Sequence, residues 1–237
     1  MDVARALPSE LSPVTVVAQS QTAGRGRFDR VWTSPPRGGL YLTVRIPWIR
    51  PLAQAPLVSM GTALALARLS SQLGCPDIGL KWPNDLLLGR RKAAGILAEM
   101  QHPPHGIPQL LVGVGLNVSI PERTLEKVGQ PATSLSSASG LDLDPEHVLE
   151  QFLALWSQVD SVLETDGFAA LVDEYRAYSD LAGRRFRLAG AQGEAEDVRV
   201  VSIADDGALV VEMVPGGMRK VVHGGELLPP EGARRGT

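Results

Sequence analysis

Residues 78–100 read IGLKWPNDLLLGRRKAAGILAEM. Three short apolar runs are separated by two kinds of punctuation. Pro83, Asn84 and Asp85 carry turn chemistry, and Gly89 with Arg90 and Arg91 reads as a hairpin tip. The stretch is therefore a strand, a turn, a strand, a tight turn and a third strand. On its C-terminal side, residues 108–120 (PQLLVGVGLNVSI) form another apolar strand, broken by two glycines. On its N-terminal side, residues 53–73 are rich in Ala and Leu at helical spacing, and Gly74 and Pro76 stop them. Further back, residues 14–19 and 40–46 read as strands.

Past residue 120 the character changes twice. Residues 121–140 are polar, with Pro, Ser and Gly, and read as a long loop or mobile segment. Asp144 followed by Pro145 is an N-cap with proline at the first helical position, opening a helix to about Glu164. Residues 166–179 read as a second helix. From about residue 184 to 230 come short strands with Gly and Asp turns, of which Asp205–Gly207 (DDG) is the strongest hairpin signal. Strands and helices mix without regular β-α-β alternation, so the fold class is α+β. The expected domains are residues 1–182 and a small β module at 183–237.

The chain has 237 residues, 44% of them hydrophobic, and a formal net charge of -3. That charge gives no ground for expecting a nucleic-acid partner. A single cysteine, Cys75, excludes an internal disulfide and a paired-cysteine metal site. The N-terminal residues resemble no signal or transit peptide, and no apolar run reads as long enough to span a membrane. The expectation is a soluble cytoplasmic protein with no membrane partner.

The chemistry sits in four short motifs. In SQTAGRGRFDRVW (residues 20–32), Gly24 and Gly26 alternate with Arg25 and Arg27, and Trp32 closes the run. Glycines permit close backbone approach to a ligand. Guanidinium forks match carboxylate and phosphate oxygens. An indole can stack on a flat ring, so the loop suits an anion carrying an aromatic base. A solvated loop with spare arginines has the same composition. In KWPND (81–85), Lys81 ends a strand before a turn; surface and ligand placements both fit. In RRKAAGIL (90–97), Lys92 opens a strand whose next residues are small enough to leave room for a ligand. In GVGLN (113–117), paired glycines within a strand mark a bulge or a close approach. They are not a dinucleotide fingerprint, because Val118 stands where the third glycine belongs. No phosphate-binding P-loop and no serine-nucleophile elbow occurs, and the four histidines lack metal-ligand spacing.

Taken in order, GRGR with its tryptophan, KWPND, RKAAGIL, GVGLN and a terminal β module resemble the biotin–protein ligase family over residues 2–228. The resemblance implies a mixed β-sheet with helices, like the catalytic domain of class II tRNA synthetases, followed by a small SH3-like barrel. It implies that biotin is activated by ATP, with Mg²⁺, to biotinyl-5'-AMP and passed to a lysine of a biotin carboxyl carrier protein or domain. It implies that Lys92, Arg25 and Arg27 are catalytic. Gln21, Arg25, Lys92 and the backbones of Gly113 and Gly115 would meet biotin. Arg25, Arg27, Trp32, Lys81, Lys92 and Asn117 would meet ATP or the adenylate, and the polar stretch after Val118 would order it. No metal ligand is assigned, and the protein would be a monomer or homodimer.

Two departures from the family pattern stand out. The motifs begin too near residue 1 to leave room for an N-terminal DNA-binding domain. Met1 also falls where the family has the asparagine of Ser-Thr-Asn, so the Ser and Thr of the biotin pocket are expected to be encoded upstream. Two rivals share the fold: a lipoate- or octanoate-type ligase, and a non-catalytic remnant that binds biotinyl-adenylate.

Overall fold

The computed structural model describes residues 1–8, 11–190 and 195–230. Its first sheet grows from the stretch quoted above. Strands β3 (Ile78–Lys81), β4 (Asp85–Leu88) and β5 (Arg91–Gln101) form an antiparallel meander. The β4–β5 loop is Gly89–Arg90, with φ of 55° and 63°. Both central residues are left-handed, the geometry whose twist matches the flanking strands of a two-residue hairpin.

Strand β6 (Gln109–Asn117) lies between β5 and β2 (Gly39–Pro47), and β1 (Val14–Ala18) closes the edge. The order is β1-β2-β6-β5-β4-β3. Every pairing is antiparallel. The α+β class holds, but the sheet is not mixed in its pairing. Strands β2 and β3 run the same way yet lie at opposite ends of a set of alternating neighbours, so they never pair.

Helix α2 (Ala55–Gln72) carries the chain from β2 to β3 across one face of the sheet. By length and composition the helical span Leu52–Gln72 is long and apolar enough to cross a membrane, contrary to the sequence reading. Here 61% of its apolar window is buried inside the molecule. Helix α5 (Pro145–Thr165) packs on it, and Asp144 caps α5 by accepting from the amides of Glu146 and His147. The two helices meet at Gly61, where a Cβ would stand 2.6 Å from Leu163 Cδ1. Trp156 Nε1 donates to Thr62 Oγ1 across the same contact at 3.0 Å.

Strand alternation leaves the other sheet face to different residues. Leu40, Leu42, Val44 and Ile46 of β2 belong to the helix-side core. Tyr41, Thr43 and Arg45 lie on the alternate face. Arg45 is 1% exposed, and its guanidinium donates to the carbonyls of Ala4, Leu7 and Pro8. A buried charge needs such partners, and here they tie helix α1 (Asp2–Ala6) to the sheet.

Two segments differ from the sequence reading. Residues 121–140 hold α3 (Glu122–Leu125), a 3₁₀ turn and α4 (Leu135–Ser139). Ser134 caps α4, and Thr133 and Ser134 are buried at 0% and 1% exposure. Polar composition reads as a loop, whereas the Ser134 hydroxyl serves as a helix cap inside the fold, and the Thr133 hydroxyl is buried beside it without a hydrogen-bond partner. The helix expected over 166–179 is a 3₁₀ turn followed by α6 (Val172–Tyr178), after Gly167 at φ 74°.

A second antiparallel sheet comprises β7 (Arg185–Ala189), β8 (Glu196–Ile203), β9 (Leu209–Met213), β10 (Arg219–Val222) and β11 (Glu226–Leu228), in the order β10-β9-β8-β7-β11. The expected turn at 205–207 is present, with Gly207 at φ 77°. This sheet fits the small SH3-like module expected from the resemblance. Its buried residues join the same hydrophobic core as α2 and α5. Residues 191–194 and 231–237 of that expected module lie outside the described residues.

Candidate active site

The face of the first sheet opposite α2 carries a cavity of about 390 Å³. Its floor follows from strand register. Tyr41 pairs with Gly115, Gly115 with Gly95, and Gly95 with Asp85; one step along, Thr43 pairs with Gly113. Three glycines in adjacent strands make a trough where side chains would otherwise stand. Into it drops the Trp32 indole: a Cβ on Gly95 would meet Trp32 Cζ3 at 3.0 Å, and one on Gly115 would meet Nε1 at 2.5 Å. Met1 covers Gly113 likewise, its sulfur 3.0 Å from the Cβ position. Trp32 Nε1 is buried without a hydrogen-bond partner.

The glycine–arginine loop forms the roof. Trp32 N donates to Gly24 O at 2.9 Å and Gly26 N to Arg30 O at 2.7 Å, folding the loop back on itself. Phe28 and Asp29, at φ 55° and 57°, make the reversal. Each arginine is held separately. Arg25 pairs with Asp2 at 2.7 Å. Arg27 reaches across to Asn84 Oδ1 at 3.1 Å and to the Gly225 carbonyl at 3.0 Å. Arg30 pairs with Glu226. Two of the three therefore bind the loop to the second sheet. Burial pulls the Arg27 guanidinium below its ordinary value, against the opposing pull of Glu226 and Asp85.

Lysines close the ring. Lys92 Nζ sits 2.8 Å from Asp85 Oδ1 and 5.5 Å from the centre of the Trp32 ring. Lys81 is pulled below the ordinary lysine value by burial, and Lys92 and Arg30 add to that while Asp85 and Glu226 oppose it. Arg25, Arg27, Lys81 and Lys92 thus converge on one trough beside an indole. With Arg30, which also lines it, five cations face the glycine floor, an arrangement that suits a flat or apolar group carrying carboxylate or phosphate.

A second hollow of about 500 Å³ lies beyond Trp82, Pro83 and Asn84, lined by Leu57, Met60 and Met100 among others. Size does not choose between the two. The second is mainly apolar and shares with the first only one of those five cations, Arg27.

Eight of the residues singled out from sequence line the first cavity: Gln21, Arg25, Arg27, Trp32, Lys81, Lys92, Gly113 and Gly115. Asn117 does not; it is 4% exposed, and its amide donates to the Thr133 carbonyl at 2.9 Å. Gly95, among the small residues read from sequence as leaving room for a ligand, also lines the cavity, whereas sequence reasoning missed Asn84, Asp85 and Glu226. A signal existed for Asp85, because a hairpin tip at 89–91 carries it back alongside the strand that Lys92 opens. None existed for Glu226, which meets Arg30 across 196 positions.

With this geometry in view, the comparisons with known proteins are specific. The profile of the biotin/lipoate A/B protein ligase family matches residues 6–117. The biotin–[acetyl-CoA-carboxylase] ligase of Mycobacterium tuberculosis is 32% identical over 233 residues, covering 93% of this chain and 80% of that protein. The chain belongs to the biotin/lipoate A/B protein ligase family. Another member, the bifunctional ligase/repressor BirA of Bacillus subtilis, is 30% identical over 198 residues, 83% of this chain. The chain spans about three fifths of the length of such bifunctional relatives, 61% in that case. Among solved structures, the family fold is matched by the biotin protein ligase of Aquifex aeolicus in complex with biotin and ATP. The TM-score is 0.77 at 26% identity, covering 95% of this chain and 92% of that one.

Proposed function

We propose that this chain is a biotin–protein ligase, which joins biotin to ATP and then to a carrier lysine. The observation that carries the reading is the convergence of Arg25, Arg27, Lys81 and Lys92 on a glycine-floored trough beside Trp32. In the first step a carboxylate oxygen of biotin attacks the α-phosphorus of ATP, the bond to the bridging oxygen breaks, and pyrophosphate leaves. Two anions must be brought together, so charge neutralisation and alignment carry most of the work. Lys92, fixed by Asp85, stands at the junction of the biotin carboxylate and the α-phosphate. Arg25 and Gln21 flank that junction, and Arg27 and Lys81 take the nucleotide phosphates. Gly113 and Gly115 line the biotin side, and Trp32 flanks the adenine.

In the second step the carrier's lysine amine attacks the acyl carbon of the mixed anhydride. The C–O bond to phosphate breaks and AMP departs. The folded-back loop shields the anhydride, which water would otherwise hydrolyse. Mg²⁺ enters as part of the nucleotide substrate. Among the described residues no group of three or more His, Cys, Asp or Glu side chains converges to cage it.

The carrier is a biotin carboxyl carrier protein or domain, met in the cytoplasm. The catalytic part is residues 1–182 and the module residues 183–237, whose Gly225 and Glu226 anchor the loop. The test is to incubate the chain with biotin, Mg²⁺, ATP and a carrier domain, and weigh the carrier. One biotin added at the acceptor lysine, and added far more slowly by the Lys92→Ala variant, supports the reading. An unmodified carrier sinks it.

A further inference from the structure

Lys92 lies where its own sheet runs out. The β5–β6 ladder pairs Ala94 with Leu116 and goes no further toward Lys92. On the other side, the β4–β5 register shifts between Leu86 and Leu87, leaving Lys92 just past an irregularity. A backbone group at such a place needs another partner. Residues 131–133 supply it. Lys92 N donates to the Pro131 carbonyl and Thr133 N donates to the Lys92 carbonyl, each at 3.0 Å. The result is an isolated parallel bridge between Lys92 and Ala132, on the line β6 has vacated.

The C-terminal end of the short strap is itself fixed to the end of β6 by two bonds. Ser136 N donates to the Val118 carbonyl at 2.8 Å. Asn117, the last residue of β6, donates its side-chain amide to the Thr133 carbonyl at 2.9 Å. That acceptor has no proton to give, so the Asn117 nitrogen is the atom that faces it. Asn117 and Thr133 are 4% and 0% exposed, so water does not compete for this bond.

We propose that Asn117 is a positioning residue for Lys92. It clamps the strap at Thr133, and the strap grips both backbone groups of Lys92 and so sets where the ammonium stands beside Asp85. The inference rests on the ligase reading above, and it gives Asn117 a role that does not require contact with adenine. A catalytic lysine on a four-carbon stem is only as well placed as its Cα, and small displacements cost rate.

The test is a double-mutant cycle on single-turnover formation of biotinyl-adenylate, using Asn117→Ala, Lys92→Ala and the pair. The isosteric Asn117→Asp, which loses the donor but keeps the volume, serves as a second variant. Amide exchange is followed by NMR in parallel. Asn117→Ala should slow adenylate formation about tenfold in the parent, the scale of one lost buried hydrogen bond, with ATP affinity held within about twofold. In the Lys92→Ala background the same change should alter the rate less than about twofold. Exchange at the Lys92 and Thr133 amides should quicken while the β2–β6 core stays protected. An equal loss in both backgrounds, or a loss carried wholly by weaker ATP binding, overturns the proposal. So does unchanged exchange at Lys92 and Thr133. A parent that makes no adenylate, with the strap amides responding as expected, overturns the ligase reading and leaves the clamp standing.

Discussion

Gly115 shows how little room the trough allows. A methyl there would stand 2.5 Å from Trp32 Nε1, so the indole must leave. Gly115→Ala is expected to cost about 1–3 kcal/mol, as overpacking does, chiefly in ligand binding because the displaced ring has the cavity to enter. Trp32 is also the least buried of the four tryptophans, the others being 2–8% exposed. Its fluorescence is therefore the natural readout. Titration with biotin and ATP should quench the parent more than Gly115→Ala; equal quenching and affinity would contradict the packing described. Lys81 makes a second prediction. Burial lowers its pKa from the ordinary 10.5, and only the protonated amine attracts phosphate. Nucleotide affinity should fall as pH rises through that lowered pKa, and Lys81→Arg should remove the step. A parent profile identical to that of Lys81→Arg from pH 7 to 10 would remove Lys81 from the phosphate site. For stability the sign is opposite: burying the charged form is unfavourable, so this residue's penalty fades as pH rises through the folded-state value.

At the scale of elements, the KWPND turn is the hub. Trp82 donates to the Gly207 carbonyl at 3.0 Å, Asn84 holds Arg27, and Asp85 holds Lys92. Trp82→Phe keeps most of the buried ring but orphans that carbonyl. It is expected to destabilise the protein by about 1–3 kcal/mol, with faster amide exchange centred on β8 and β9. A melting temperature and exchange pattern equal to the parent's would show that the bond contributes nothing. The turn also shows what sequence reading reaches. Local signals gave its strands and the hairpin tip, because turn residues and alternation act over a few positions. They gave α2 and the Asp144 cap for the same reason. The cations were visible as residue types, but their convergence was not. Arg27 meets Gly225 across 198 positions, and no local pattern encodes that. Helices α3 and α4 escape the reading of residues 121–140 as a loop, because Ser and Thr look like loop chemistry until their burial is known.

On the scale of the whole molecule, the second sheet reaches the trough. Glu226 lines the cavity and pairs with Arg30, while Gly225 takes Arg27. The arginine loop is thus spanned between two sheets and held by both. Adenylation is the step that the proposed function assigns to this arrangement, and it is reversible, so it can be watched without any carrier. The most direct measurement is the exchange of labelled pyrophosphate into ATP, with biotin or lipoate as the only acid present. The account predicts exchange that depends on biotin, is absent with lipoate, and is much slowed in Lys92→Ala. Exchange with lipoate in place of biotin, or with neither acid, would contradict it.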